Sequence, residues 1–162
     1  MLILGKPGIG KTALADFAML KLGCDRWHTT QLNGTQVKIE IVEDIARSLH
    51  YKDMFGTYRL LRIEEIDKTP TIAQVRLLSL LDDLPSRCAV ICTSNCKPQD
   101  LEDRFQSRFI VLQIDPPSNT EIRQLITNNW PAIPPKEITR ISTFACGNVR
   151  QALLDATLAL AA

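Results

Sequence analysis

Residues 5–12 have types and a spacing that suit chemistry on phosphate groups. They read GKPGIGKT and match the pattern GxxxxGK[ST]. Glycines in such a loop let successive backbone N–H groups converge on an anion, because no side chain obstructs the approach. Lys11 can then reach the outer phosphates of a nucleotide, and the Thr12 hydroxyl can ligate Mg²⁺. The match therefore predicts a nucleotide phosphate site.

A pair of acids, Glu64 and Glu65, ends the apolar run that begins at residue 59. Taken alone, charged residues at a strand end are usually solvated. In a parallel α/β sheet, however, ligands collect at the carboxyl ends of the strands. Because successive strand residues face opposite ways, one acid can lie beside Mg²⁺ while the other faces the water that attacks the γ-phosphate.

The elements that position these residues follow from the hydrophobic pattern. Short apolar runs alternate with amphipathic segments, which is typical of a parallel sheet covered by helices. We therefore predict an α/β three-layer sandwich with a five-stranded parallel sheet. The predicted strands are 1–4, 27–32, 59–64, 88–93 and 109–114. The predicted helices are 12–22, 36–49 and 70–83, the last with Thr69 as its N-cap and Pro70 at its first helical position.

The pattern changes to helices alone after residue 116. Three are predicted, at 118–129, 135–146 and 148–161. Ser118 and Glu121 form a capping-box pattern at the start of the first, Gly147 fits the end of the second, and Asn148 can cap the third. The predicted domains are a nucleotide-binding core over residues 1–116 and a three-helix lid over residues 117–162.

Composition narrows the class of protein. The 162 residues are 45% apolar and 23% charged, which is usual for a globular protein, and the net charge of +1 gives no bulk attraction to nucleic acid or to a membrane surface. No apolar run approaches the roughly 20 residues that span a bilayer. The five cysteines suit reduced thiols. We expect a cytoplasmic protein, or a nuclear one if the source is eukaryotic.

The ordered motifs resemble those of AAA+ ATPases, which have a P-loop NTPase fold. GKPGIGKT and RIEEID are similar to the Walker A and Walker B motifs, and VICTSN at 90–95 is similar to the sensor 1 strand. GNVRQALL, which contains Arg150, resembles sensor 2. Two further segments resemble the small subunits of replication factor C-type clamp loaders. DRFQSRF is similar to their Ser-Arg-Cys box, with Phe109 in place of cysteine, and LNGT at 32–35 is similar to their Asn-Ala-Ser element.

The resemblance implies ATP and Mg²⁺ as cofactors and assigns a role to each matching residue. Glu65 would orient or deprotonate the attacking water, Asn95 would fix that water, and Arg150 would contact the γ-phosphate from the lid. The implied magnesium ligands are Thr12 and Glu64. The implied catalytic residues are Lys11, Glu65, Asn95, Arg108 and Arg150. The implied nucleotide-binding residues are Gly5, Lys6, Pro7, Gly8, Ile9, Gly10, Lys11, Thr12, Ala13, Asn95 and Arg150.

Arg108 has a different implied position, because the family's arginine finger points to the ATP of a neighbouring subunit. Such a finger raises the rate by about 10³ to 10⁵, so an isolated subunit should hydrolyse ATP slowly. Arg104, four residues earlier, is the rival finger.

Besides Phe109, three features depart from the family pattern. Glu64 stands where the family has aspartate, and Mg²⁺ tolerates little change in ligand geometry. Arg62, two residues earlier on the same strand face, is expected to pair with Glu64 and compete for it. Only MLIL precedes the loop, so part of the base pocket is expected to be missing or supplied otherwise.

The leading hypothesis is the ATPase module of a ring assembly, similar to a clamp-loader small subunit, with neighbouring AAA+ subunits, a sliding clamp and DNA as partners. One alternative is an AAA+ DNA remodeller, such as a branch-migration motor or a helicase loader. Another is a regulatory subunit that binds nucleotide without hydrolysing it.

Overall fold

The computed structural model describes residues 1–25, 27–49, 58–97 and 103–161. Contacts between residues divide the chain into two compact units. The first consists of Met1–Leu4 and Lys11–Gln113, and the second of Gly5–Gly10 and Ile114–Ala162. The predicted boundary after residue 116 stays a prediction.

The first unit contains a five-stranded sheet, as predicted. Its strands are β1 (Leu2–Leu4), β2 (Thr29–Asn33), β3 (Arg59–Glu64), β4 (Cys88–Ser94) and β5 (Val111–Gln113). They lie in the order β2-β3-β4-β1-β5, and every neighbouring pair is parallel. The register pairs Ile63 of β3 with Cys92 of β4, which brings the carboxyl ends of these two strands to the same edge of the sheet.

In the described part of this unit the α-helices are α1 (Lys11–Lys21), α2 (Ile39–Leu49), α3 (Thr71–Asp82) and α4 (Asp103–Gln106). Leu61 and Ile63 of β3 join the buried cluster formed with α2 and α3. Strand residues alternate between faces, so Arg62 lies on the opposite face, where it contacts Asp16 of α1. Helices therefore cover both faces of the sheet, and the predicted three-layer α/β architecture is confirmed.

Several predicted element starts are wrong. Helix α2 begins at Ile39 rather than at 36, after a 3₁₀ turn at Gly34–Gln36, and β5 begins at Val111 rather than at 109. In two further elements the shift comes from a turn that the periodicity does not reveal. Strand β2 begins at Thr29, since the Asp25 carboxylate accepts the backbone N–H groups of Trp27 and His28 at 2.9 and 3.0 Å and closes a turn there. Helix α3 begins at Thr71 with Pro70 as its N-cap. Thr69 is not the cap, because its N–H donates to the Ile66 carbonyl and belongs to the preceding 3₁₀ turn.

The second unit contains three helices, α5 (Asn119–Asn129), α6 (Pro135–Ala145) and α7 (Val149–Ala161), which share a core that includes Ile122, Ile126 and Ile141. The predicted capping box is present, since Ser118 accepts the Glu121 N–H while the Glu121 side chain accepts the Ser118 N–H. Helix α6 ends in two left-handed residues, Cys146 and Gly147. Asn148 caps α7 by accepting the Gln151 N–H at 3.1 Å.

Within the described ranges, no helix has the length and apolar character needed to cross a membrane.

Candidate active site

Glu65, directly after strand β3, has a left-handed backbone conformation with φ 53° and ψ 52°. A side chain in that region costs roughly 1–2 kcal/mol, because Cβ approaches the following carbonyl oxygen. The backbone N–H of Glu65 donates to the Thr93 hydroxyl of β4 over 3.3 Å. Strained residues held by surrounding contacts are typical of functional positions, and this one coincides with the predicted catalytic acid.

Asn95, which follows strand β4, connects the loop lysine to this acid. Its side-chain oxygen accepts a hydrogen bond from Lys11 Nζ at 2.8 Å, and its side-chain nitrogen donates to Glu65 Oε1 at 3.1 Å. Its backbone N–H donates to Asp67 Oδ1 over 3.3 Å. The structure therefore brings together three of the predicted catalytic residues, with Asn95 between a cation and an anion.

The other carboxylate oxygen of Glu65 is held by two residues that the sequence analysis did not single out. Lys68 Nζ lies 2.7 Å from Glu65 Oε2, and the Asn33 side-chain nitrogen donates to the same oxygen at 3.5 Å. The Lys68 hydrogen bond, and next that of Asn33, hold the pKa of Glu65 below its ordinary value. The carboxylate is therefore an acceptor for hydrogen bonds at neutral pH. Two sequence features could have pointed to these residues: Asn33 lies in the LNGT segment, and Lys68 follows Glu65 by three positions.

Glu64 has a different environment on the face of the sheet that α1 covers. Arg62 Nη2 donates to Glu64 Oε1 at 2.7 Å, which confirms the predicted pairing, and Gln31 Nε2 donates to the same oxygen at 3.3 Å. The second nitrogen of the Arg62 fork forms an ion pair with Asp16. Arg62 is 3% exposed, so this charge cluster is built into the sheet.

Each of the two predicted magnesium ligands, Glu64 and Thr12, has an oxygen that is available to a metal ion. Glu64 Oε2 has no hydrogen-bond partner among the residues that the structure describes, so it can accept a metal ion or a metal-bound water. Thr12 is exposed in the first turn of α1, where its hydroxyl can reach solvent. A hydroxyl and one free carboxylate oxygen are hard oxygen ligands of the kind that Mg²⁺ takes, with water completing its shell.

The loop Gly5–Gly10 has the backbone that a phosphate cradle requires. Gly8 and Gly10 have φ values of 80° and 107°, which residues with a Cβ rarely adopt. A Cβ added at Gly5 would lie 2.4 Å from Ile9 Cδ1 and 2.8 Å from the Ile114 carbonyl oxygen. Of the remaining predicted loop residues, Ile9 is buried, whereas Lys6 and Pro7 are exposed; Ala13, also exposed, belongs to α1.

The start of α7 is bound to this loop within the second unit. The Arg150 backbone N–H donates to the Gly8 carbonyl over 2.9 Å. A Cβ at Gly8 would lie 2.2 Å from the Asn148 side-chain oxygen, so the two residues are in close contact. Arg150 itself is exposed. Helix α7, which carries the predicted sensor residue, therefore begins against the loop.

Arg108 follows helix α4, and its side chain is bound by residues of the same chain. Its Nε and Nη2 donate to the two carboxylate oxygens of Asp82 at 2.6 and 2.7 Å, and Nη1 donates to the Arg104 carbonyl at 2.9 Å. The hydrogen bonds between the Arg108 and Asp82 side chains hold the pKa of Arg108 above and that of Asp82 below its ordinary value. Of the two candidate fingers, Arg108 thus has a guanidinium fork that is bound by a carboxylate, while Arg104 contributes its carbonyl oxygen to that arrangement.

Sequence comparison gives three matches of use. The family described as the ATPase family associated with various cellular activities (AAA) matches residues 1–116. The probable replication factor C subunit 5 of Dictyostelium discoideum is 24% identical over 166 residues, which cover 94% of this chain and 47% of that protein. The replication factor C small subunit of Methanocella arvoryzae is 26% identical over 132 residues, or 78% of this chain and 41% of that protein.

Comparison of structures agrees on the fold. A RuvB variant from Thermotoga maritima superposes with a TM-score of 0.80 at 23% identity, and the match covers 96% of this chain and 52% of the RuvB chain. A second variant of the same protein gives 0.79 at 21% identity. The chain thus spans about half the length of the proteins that it resembles, or somewhat less.

Proposed function

The chain belongs to the AAA family of ATPases, and from this premise we propose that it binds ATP with Mg²⁺ and hydrolyses it to ADP and phosphate. The observation that carries the proposal is the connection Lys11–Asn95–Glu65, with hydrogen bonds of 2.8 and 3.1 Å. Phosphoryl transfer requires positioning and charge neutralisation more than covalent catalysis. A cation, an amide and a carboxylate that are joined by hydrogen bonds can provide both the positioning and the charge neutralisation.

Each residue then has a distinct task. The backbone N–H groups of the loop Gly5–Gly10 bind phosphate oxygens, and Lys11 neutralises the charge that develops on them. Glu65 accepts a hydrogen bond from the attacking water and orients it, because the carboxylate is ionised at neutral pH. Asn95 holds the side chains of Lys11 and Glu65 in position through its two hydrogen bonds, and Arg150 contacts the γ-phosphate from the lid.

Thr12 and Glu64 are the residues that would hold Mg²⁺, on the evidence of the exposed hydroxyl and the free Oε2 oxygen. When bound, the ion neutralises charge on the β- and γ-phosphates. The hold of Arg62 on the other oxygen of Glu64 favours contact through a water molecule rather than directly. The same pairing favours one second candidate function, a subunit that binds ATP but hydrolyses it poorly.

Arg108 is proposed to act on the nucleotide of a neighbouring subunit, in a homo- or hetero-oligomeric ring. The guanidinium fork of Arg108 is bound to Asp82, so a neighbour's phosphate would have to displace that carboxylate. A single subunit therefore lacks its finger in trans, and we expect slow turnover for it. The likeness to replication factor C proteins supports a clamp-loader role, in which ATP binding is coupled to placing a sliding clamp on DNA.

The decisive experiment measures ATP turnover per subunit as the protein concentration is raised. Turnover that rises with concentration in the wild type, and stays low in Arg108→Ala, supports a finger that acts in trans. Arg104→Ala is the matched control, because it removes the same charge four residues away, and it should behave like the wild type. Equal loss in both variants would refute the assignment to Arg108.

A second measurement separates the two candidate functions and tests the partner. ATP binding with no turnover at any concentration, unaffected by Glu65→Gln, would favour the non-hydrolysing subunit. Stimulation by a sliding clamp together with primed DNA, but not by branched duplexes, would support the clamp-loader role. Stimulation by branched duplexes alone would contradict that role and favour a DNA remodeller.

A further inference from the structure

Arg62 is a buried arginine on strand β3, and the catalytic roles proposed above do not explain why a positive charge is placed there. Its register neighbours are Gln31 on β2 and Ile91 on β4, and only 3% of the residue is exposed. A buried guanidinium is unfavourable unless carboxylates pair with it, and an apolar residue usually fills such a position. The arginine is therefore an unusual choice that requires a reason.

The guanidinium of Arg62 joins two carboxylates from different elements. Nη2 donates to Glu64 Oε1 at 2.7 Å, and Nη1 pairs with Asp16 of α1. Nε is buried without a hydrogen-bond partner within the described part of the chain. The side chain of Asp16 is 49% exposed and that of Glu64 is 27% exposed, so both acids reach solvent while the arginine between them does not.

Arg62, Glu64 and Asp16 form a trio that is linked to both proposed magnesium ligands. Glu64 belongs to the trio and is itself one of these ligands. Asp16 is four residues after the other, Thr12, and residues at that spacing share a helix face one turn apart. Arg62 thus places a permanent positive charge against the carboxylate that would attract the metal, and its fork fixes one oxygen of that carboxylate.

We propose that Arg62 is a positioning residue that acts as a resident counter-cation for Glu64, so that ATP binding by this chain depends only weakly on Mg²⁺. The proposal rests on the proposed nucleotide site. Pairing with the guanidinium neutralises part of the carboxylate charge that would draw the ion. It also leaves only Oε2 to face the metal. Asp16 shares the guanidinium and so limits its hold on Glu64.

The test measures the dissociation constant of ATP by calorimetry on the whole chain, once in EDTA and once in Mg²⁺. The ratio is the constant in EDTA divided by the constant in Mg²⁺. We expect a ratio within about threefold in the wild type. Arg62→Met should raise it by about tenfold or more, the scale of one partly buried charge interaction. Asp16→Asn should lower the ratio or leave it at the wild-type value, because Glu64 then becomes the only carboxylate on Arg62. Arg62→Lys keeps the charge and should stay near the wild type.

Matched controls separate this role from a structural one. Replacing a buried ion pair by apolar groups is often tolerated, and the two acids freed in Arg62→Met already reach solvent. Circular dichroism and a thermal melt check the fold of each variant. Arg59→Met removes the same charge from the start of the same strand, where Arg59 binds the Ser48 carbonyl, and it should not change the ratio.

The outcomes are distinguishable. A large ratio in the wild type, a ratio unmoved in folded Arg62→Met, or a rise in Asp16→Asn would each overturn the role of Arg62. A purely structural role would move Arg62→Met and Asp16→Asn in the same direction. A folded wild type that binds ATP in neither solution would instead refute the proposed function.

Discussion

Replacement of Asn95 tests the central connection of the site, because this one side chain contacts both Lys11 and Glu65. Hydrogen bonds to charged groups contribute about 1.5–3 kcal/mol each. If water replaces one of the two hydrogen bonds lost in Asn95→Ala, the transition state loses the stabilisation of the other hydrogen bond. That deficit corresponds to a fall in kcat of about 10- to 150-fold. Lys11 keeps its charge, so the dissociation constant of ATP should stay within about threefold of the wild type.

Asn95→Asp sharpens the prediction. An aspartate can still accept from Lys11, but it cannot donate to Glu65 and it places a like charge beside that carboxylate. Turnover should therefore fall below that of Asn95→Ala, although the aspartate has nearly the shape of asparagine. Single-turnover ATPase assays with calorimetric ATP binding would check both variants. Equal turnover in the two variants, or a collapse of ATP binding in Asn95→Ala, would refute the bridging role.

Three further predictions concern other parts of the chain. Asp82→Asn removes the carboxylate that holds the Arg108 fork, and turnover at high protein concentration should rise roughly two- to fivefold, since the competent conformer becomes more populated; no change would mean that the pair does not restrain the finger. Gly34→Ala would place a Cβ 2.1 Å from the Glu65 carbonyl oxygen. This variant should lower the free energy of unfolding in urea by about 1–3 kcal/mol, and it should also lower the ATPase activity. An unfolding midpoint equal to that of the wild type would contradict this packing. The pKa of Glu121 is held below its ordinary value by the hydroxyl and then the N–H of its capping serine. The unfolded chain therefore binds more protons at acidic pH, and the stability that Glu121 provides is lost as pH falls through its folded pKa. Glu121→Gln keeps the capping geometry and should flatten the pH dependence of urea unfolding at pH values below the ordinary pKa of a glutamate; an unchanged slope would exclude the carboxylate as its source.

The sequence by itself determined the features that depend on local order. Glycine spacing predicted the loop, and Gly8 and Gly10 have the positive φ angles that only glycine adopts easily. Short apolar runs that alternate with amphipathic segments predicted five parallel strands. A strand of such a sheet is buried on both faces, so its residues are apolar without interruption. The capping pattern of Ser118 and Glu121 predicted the start of a helix correctly, since the hydrogen bonds involved span three residues.

Only the tertiary structure decided which partner each charged side chain takes. The Arg62–Asp16 and Arg108–Asp82 pairs join residues 46 and 26 positions apart, and no pattern along the chain encodes which of several acids a distant arginine will meet. Arg62 with Glu64 was predictable, because residues two apart on a strand share a face. The contact with Asp16 arises because α1 crosses that face. Sequence spacing fixes the faces of elements, whereas the packing of elements against one another selects the pairs.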